Sequence, residues 1–146
     1  MRAASCIVTT GSGKARIIGI GVKSLKEERN ECVQEFMLLD FLFARKWLMI
    51  HYAAAFIVFP GGFGTLDEMM EVITLMHTKE IPRAPIVLVG SDYWKDLLYW
   101  IKTDAVRAGL ICQENLELFT VQDDVEQIVA LVKNHCMGSH MHNHGG

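Results

Sequence analysis

The sequence predicts an α/β fold built on a parallel sheet. Three observations carry this. Short β-branched or fully apolar runs recur along the chain, and helical periodicity follows each of them. The strand-like runs lack polar alternation, which means burial on both faces and hence helices on both sides of the sheet. Glycine and proline punctuate the junctions between runs. Together these describe a doubly wound, Rossmann-like sheet in a three-layer αβα arrangement.

The elements follow in order. Arg16–Val22 is a β-branched run, expected to be a strand. From Asn30 to Tyr52 apolar residues fall at 33, 36, 37, 41, 44 and 48, the spacing of one long helix. Ala55–Phe59 is a fully apolar strand. Gly64–Thr78 is a helix, closed by Lys79-Glu80-Ile81-Pro82. Pro85–Gly90 is a strand, and Tyr93–Ala108 an amphipathic helix stopped by Gly109. Leu116–Thr120 is expected as a short strand, and Asp123–Asn134 as a helix with Asp123 or Asp124 near its cap. No internal repeat or linker is visible, so residues 1–134 are expected to form one domain. Residues 135–146, rich in histidine and glycine, are expected to be a disordered tail. Within it Gly138-Ser139-His140-Met141 also matches a common cloning scar.

The chain has 146 residues, 51% hydrophobic and 21% charged, enough for one domain with a core and too apolar for disorder. A net charge of −3 favours neither nucleic acid nor an anionic membrane as partner. The four cysteines, Cys6, Cys32, Cys112 and Cys136, show no metal spacing, and we read them as reduced thiols of a cytoplasmic protein. No metal site is expected. The start lacks the long apolar stretch of a signal peptide. The most apolar segment, Trp47 to Phe63, is interrupted by His51, Pro60 and two glycines, so no membrane span is expected.

Chemistry concentrates at Pro60-Gly61-Gly62-Phe63-Gly64-Thr65-Leu66-Asp67-Glu68, between the apolar strand and a helix. The first N–H groups of a helix have no internal partner and carry partial positive charge. With glycines at Gly61, Gly62 and Gly64 a phosphate can approach them closely. The alternative is a tight turn that needs positive φ. The spacing matches neither a Walker loop nor the dinucleotide fingerprint.

Glu68 reads in two ways. With Thr65 as N-cap, Thr65-x-x-Glu68 is a capping box; otherwise the carboxylate faces a ligand sugar. Asp67 reads as surface. Arg45 and Lys46 are adjacent cations in a nearly all-apolar segment, costly unless neutralised. Lys46 either snorkels or meets a ligand; Arg45 favours an anionic partner, Glu68 or a phosphate. Glu27, Glu28 and Arg29 read as a solvated loop with Asn30 as a cap. Thr74, nine residues past Thr65, is read as close to the same face, with core packing or back-bonding as the simpler role. His77 ends the helix and complements its dipole.

Arg45-Lys46 followed at a fixed gap by the PGGxGTxxE pattern of residues 60–68 resembles the LONELY GUY (LOG) family, also called lysine decarboxylase-like. The resemblance covers most of residues 15–130. It implies hydrolysis of the N-glycosidic bond of a nucleoside 5′-monophosphate, such as AMP or a cytokinin nucleotide, to free base and ribose 5-phosphate. It implies Arg45 and Glu68 as the catalytic pair. Gly61, Gly62, Phe63, Gly64 and Thr65 would hold the phosphate, and Lys46, Thr74 and Glu27 would line the site. No pyridoxal-phosphate lysine site is recognisable, and no cofactor is expected. The chain begins at what resembles the Met of the family's GGGxxGxM loop, so the family's front strands are expected to be absent. The alternative is a catalytically impaired nucleotide-binding or assembly protein of the same fold. The resemblance also implies a dimer. The apolar residues around helix 30–52, including Phe36, Met37, Phe41, Phe43 and Trp47, cover more than one face and point the same way.

Overall fold

The computed structural model describes residues 16–25, 29, 31 and 33–141. It divides into two compact units, with the boundary between Tyr52 and Ala53.

In the first unit, strand β1 (Ile18–Val22) pairs in parallel with strand β2 (Glu35–Leu39), Ile18 opposite Glu35 and Val22 opposite Leu39. Arg16 pairs with Glu35 beside this ladder, and Lys23 meets Asp40 at 2.7 Å at its other end. Gly19 lies opposite Phe36, and a Cβ there would stand 2.8 Å from the Phe36 ring. The missing side chain lets the aromatic ring cover the strand. Arg29 donates from Nε and Nη2 to the Val33 carbonyl at 2.9 and 2.7 Å, fixing the approach to β2.

Helix α1 (Leu42–His51) follows and packs on both strands. The long helix expected from Asn30 to Tyr52 is therefore corrected: its first half is β2, and only its second half is helical. The reason is physical. Glu35-Phe36-Met37-Leu38-Leu39 is a short apolar run, and periodicity cannot separate a strand from a helix at that length. Hydrogen bonding to β1 decides it, because an unpaired β1 would leave its backbone groups without partners.

The second unit is a three-stranded parallel sheet in the order β3-β4-β5, formed by β3 (Phe56–Val58), β4 (Ile86–Leu88) and β5 (Thr120–Val121). Central strand β4 is fully buried, as its unbroken Ile-Val-Leu run requires. Between β3 and β4 runs helix α2 (Phe63–His77), burying Met69, Val72 and Met76. After β4 comes helix α3 (Ser91–Trp100), burying Trp94 and Leu98. Trp94 is 1% exposed, and its indole N–H donates to the Val89 carbonyl at 2.9 Å, so the burial strands no donor. Helix α4 (Val125–Met141) completes the unit. The described residues thus have α/β character with parallel strands in two small sheets.

Three junctions differ from expectation. The helix expected to end at Ala108 passes into a π-helical turn over Ile101–Ala105 before Gly109 closes it at φ 71°. Most of the strand expected over Leu116–Thr120 is a 3-10 turn, Gln113–Leu118, leaving two residues of β5 to pair with β4. The buried anchor of that turn is Leu118, and its polar neighbours face outward. Helix α4 runs through His135–Met141, where the composition points to a tail. Cys6, Cys32, Glu27, Glu28, Asn30, the opening residues and the last five lie outside the described residues. Among the described residues no helix is long and apolar enough to cross a membrane.

Candidate active site

Because β3, β4 and β5 are parallel, their carboxyl ends share one edge of the sheet. Open α/β sheets bind ligands at that edge. The loops leaving it are tied to the ladder: the Val89 N–H donates to the Val58 carbonyl at 2.9 Å and the Gln122 N–H to the Leu88 carbonyl at 3.0 Å.

The first loop is Phe59-Pro60-Gly61, and it delivers the chain to Gly62, the N-cap of α2. The first intrahelical hydrogen bond runs from the Leu66 N–H to the Gly62 carbonyl at 3.1 Å. The N–H groups of Gly62, Phe63, Gly64 and Thr65 precede it, so the helix itself uses none of them. No side chain caps this end among the described residues.

The three glycines have different reasons. None has positive φ, so a turn requiring the left-handed region is ruled out here. At Gly61 a Cβ would stand 2.8 Å from the Thr65 Cβ, so close packing demands the glycine. At Gly62 and Gly64 a Cβ would meet nothing within 4 Å among the described residues. Neither φ nor packing against the described residues accounts for those two.

Thr65 is the third helical residue and Glu68 the sixth. Thr65 is therefore not the N-cap, and the capping-box interpretation of Glu68 falls. Glu68 is half-buried on the second turn of α2. Phe63, at the first helical position, is 90% exposed. Thr74 is exposed, and its hydroxyl donates back to the Met70 carbonyl at 2.7 Å. Nine residues make two and a half turns of helix, which sets Thr74 on the opposite side from Thr65 rather than on the same face. Arg45 and Lys46 are half-buried in the middle of α1, in the first unit. Glu27 lies outside the described residues.

The second loop meets the first. Gly90, the N-cap of α3 at φ 94°, lies so near Pro60 that a Cβ on it would be 3.0 Å from the proline Cγ. Tyr93 on the first turn of α3 donates its hydroxyl to the Gly61 carbonyl. From the third loop, Asp123 accepts from the Gly90 N–H at 2.6 Å and the Ser91 N–H at 3.1 Å. A hydrogen bond from the Ser91 side chain and then the Gly90 N–H hold its carboxyl below the ordinary value. Two adjacent helix N-termini thus stand on one sheet edge. That of α3 is filled by the chain's own carboxylate, whereas that of α2 has glycines with no described residue within 4 Å of where a Cβ on Gly62 or Gly64 would stand.

Sequence reasoning missed Tyr93 and the role of Asp123. Asp124 is the residue that caps α4, accepting from the Gln127 N–H at 2.9 Å, while its neighbour reaches across to α3. The available signal was the second strand–glycine–helix junction at Gly90-Ser91, which repeats the logic of the first. At the far end of α2, the His77 ring meets the Asn115 amide at 3.0 Å, beside a cleft of about 500 Å³ lined by Lys79, Arg83 and Leu118 among others.

Over residues 1–132 the chain matches the model of a protein family described as "Possible lysine decarboxylase". The chain belongs to this family, the LOG family. It is 27% identical over 131 residues to the cytokinin riboside 5′-monophosphate phosphoribohydrolase of Rhodococcoides fascians, covering 90% of this chain and 66% of that protein. It is 36% identical over 104 residues to the cytokinin riboside 5′-monophosphate phosphoribohydrolase LOG of Oryza sativa subsp. japonica, covering 70% of this chain and 43% of that protein. Against LOG2 of Arabidopsis thaliana, which carries the same activity name, identity is 30% over 129 residues, with 84% of this chain and 58% of that protein covered. This LOG-family chain therefore spans between 43% and 66% of the length of these relatives.

Proposed function

We propose that the chain carries the phosphate-binding and catalytic core of a nucleoside 5′-monophosphate phosphoribohydrolase. The observation that supports it most directly is the N-terminus of α2, which no described side chain caps, where a Cβ on Gly62 or Gly64 would meet no described residue within 4 Å, and which carries the Glu68 carboxylate on the following turn. The activity named for its LOG-family relatives agrees.

In this scheme the N–H groups of Gly62 to Thr65 hold the 5′-phosphate, with Gly61 and Phe63 shaping the loop. The bond between ribose C1′ and the base nitrogen breaks, and its electron pair leaves with the base, which takes up a proton. Water adds to C1′ and loses a proton, giving free base and ribose 5-phosphate. Glu68 stabilises the positive charge that develops on the ribose. No step calls for a cofactor. The second unit belongs to a Rossmann-like αβα fold, and two such chains associate through α1 in the cytoplasm.

The test is titration of AMP against adenosine, together with an assay for free adenine. AMP should bind more tightly, and Glu68→Gln should slow adenine release on the order of 10²-fold or more. Equal affinity for the two ligands would remove the phosphate cradle from the account. AMP binding without adenine release would leave a nucleotide-binding protein.

A further inference from the structure

The peptide between Gly61 and Gly62 is flanked by two residues without side chains, so rotation of its plane meets little steric resistance. Its orientation matters. The peptide is trans, and a trans peptide points its carbonyl oxygen and its N–H to opposite sides. One orientation leaves the Gly62 N–H available at the N-terminus of α2. The reverse turns the Gly61 carbonyl oxygen, a negative end, toward that place. A loop built to hold an anion needs the first orientation secured.

The Tyr93 hydroxyl supplies the hold. It donates to the Gly61 carbonyl from the first turn of α3, 32 residues along the chain. The tyrosine is itself placed. Its backbone N–H donates to the Gly90 carbonyl at 2.9 Å, its ring meets the buried Trp94 edge-on at 4.8 Å, and Asp123 pins the Gly90 and Ser91 N–H groups. Gly90 in turn lies against Pro60, the residue before Gly61. The loop is thus held at Pro60 by packing and at Gly61 by a hydrogen bond.

We propose that Tyr93 is a positioning residue for the phosphate: by taking up the Gly61 carbonyl it sets the Gly61–Gly62 peptide with its N–H free for the anion. The inference rests on the phosphate-cradle assignment above. Tyr93 contacts no reacting atom, so it acts on binding of the phosphate and on KM more than on kcat.

The experiment compares wild type with Tyr93→Phe, which keeps the ring against Trp94 and removes only the hydroxyl. AMP, adenosine and ribose 5-phosphate are titrated against each, and melting is followed with and without ribose 5-phosphate. The variant should bind AMP and ribose 5-phosphate about five-fold more weakly, the worth of one net hydrogen bond, with adenosine binding unchanged. Where adenine release is measured, KM should rise and kcat hold within about two-fold. A variant that melts lower but keeps the AMP-to-adenosine affinity ratio of wild type would make Tyr93 merely structural and overturn the proposal. So would a variant identical to wild type in every readout. Wild type that binds AMP and adenosine equally would overturn the cradle and this proposal together, which separates the two failures.

Discussion

Asp123 and Asp124 are neighbours of the same type with different work. Asp124 caps its own helix; Asp123 reaches the N-terminus of another. The Asp123 carboxyl is held below its ordinary value of 3.8 by hydrogen bonds from the Ser91 side chain and the Gly90 N–H. A carboxyl whose folded-state value is depressed adds stability that is complete above its unfolded value. That stability is lost as pH falls through the lower, folded value. Asp123→Asn should therefore be less stable than wild type at pH 7, and the difference should shrink as pH drops below about 3.8. Denaturant melts at a series of pH values would show it. A difference that persists unchanged to the acid end would mean that charge is not what Asp123 contributes. The glycines divide in the same residue-by-residue way. Gly61 is required by Thr65, and Gly64 by nothing among the described residues near it.

Helix α2 shows how an element can be tuned against its own stability. Gly64 occupies a helical position without positive φ and with open space where a side chain would stand. Alanine is the better helix former by about 1 kcal/mol. Gly64→Ala should accordingly raise stability by roughly 0.5–1 kcal/mol and weaken AMP binding, because the methyl group occupies the ligand's approach. Gly61→Ala should instead cost about 1–3 kcal/mol, since the β-branched Thr65 has little freedom to yield. Thermal melts and AMP titration on the two variants separate a glycine kept for a ligand from one kept for packing. Gly64→Ala with undiminished AMP affinity would contradict the cradle. In α1 the outcome runs the other way: pairing with β1 takes residues 35–39 out of the helix that their spacing permits.

At the scale of the molecule, the apolar surface asks for a partner. On or beside α1, Phe41, Phe43, Trp47 and Tyr52 are all more than half exposed, and Trp47 stacks on His51 at 4.5 Å. Aromatic groups gathered on one helix are costly in water and typical of an interface. Light scattering at low micromolar concentration should give at least twice the chain mass of 16.4 kDa. Trp47→Lys should lower that mass toward the monomer. A stable monomer of the unaltered chain would show that this surface serves another purpose.

What the sequence determined by itself is local. An apolar run, a glycine turn and a helical period at residues 55–78 place a strand, an open helix N-terminus and a carboxylate in order, because each depends only on neighbours along the chain. The glycine-rich part of the family motif, residues 60–68, lies in the same stretch and was legible for the same reason. Tertiary structure decided what depends on residues far apart. It made residues 35–39 a strand, since β1 supplies their partners. It moved the N-cap from Thr65 to Gly62, and with that removed the capping role of Glu68. It joined Tyr93 to Gly61 and Asp123 to Gly90 across 32 and 33 residues. Spacing along a chain carries no record of such contacts; they exist only once parallel strands bring their carboxyl ends to one edge.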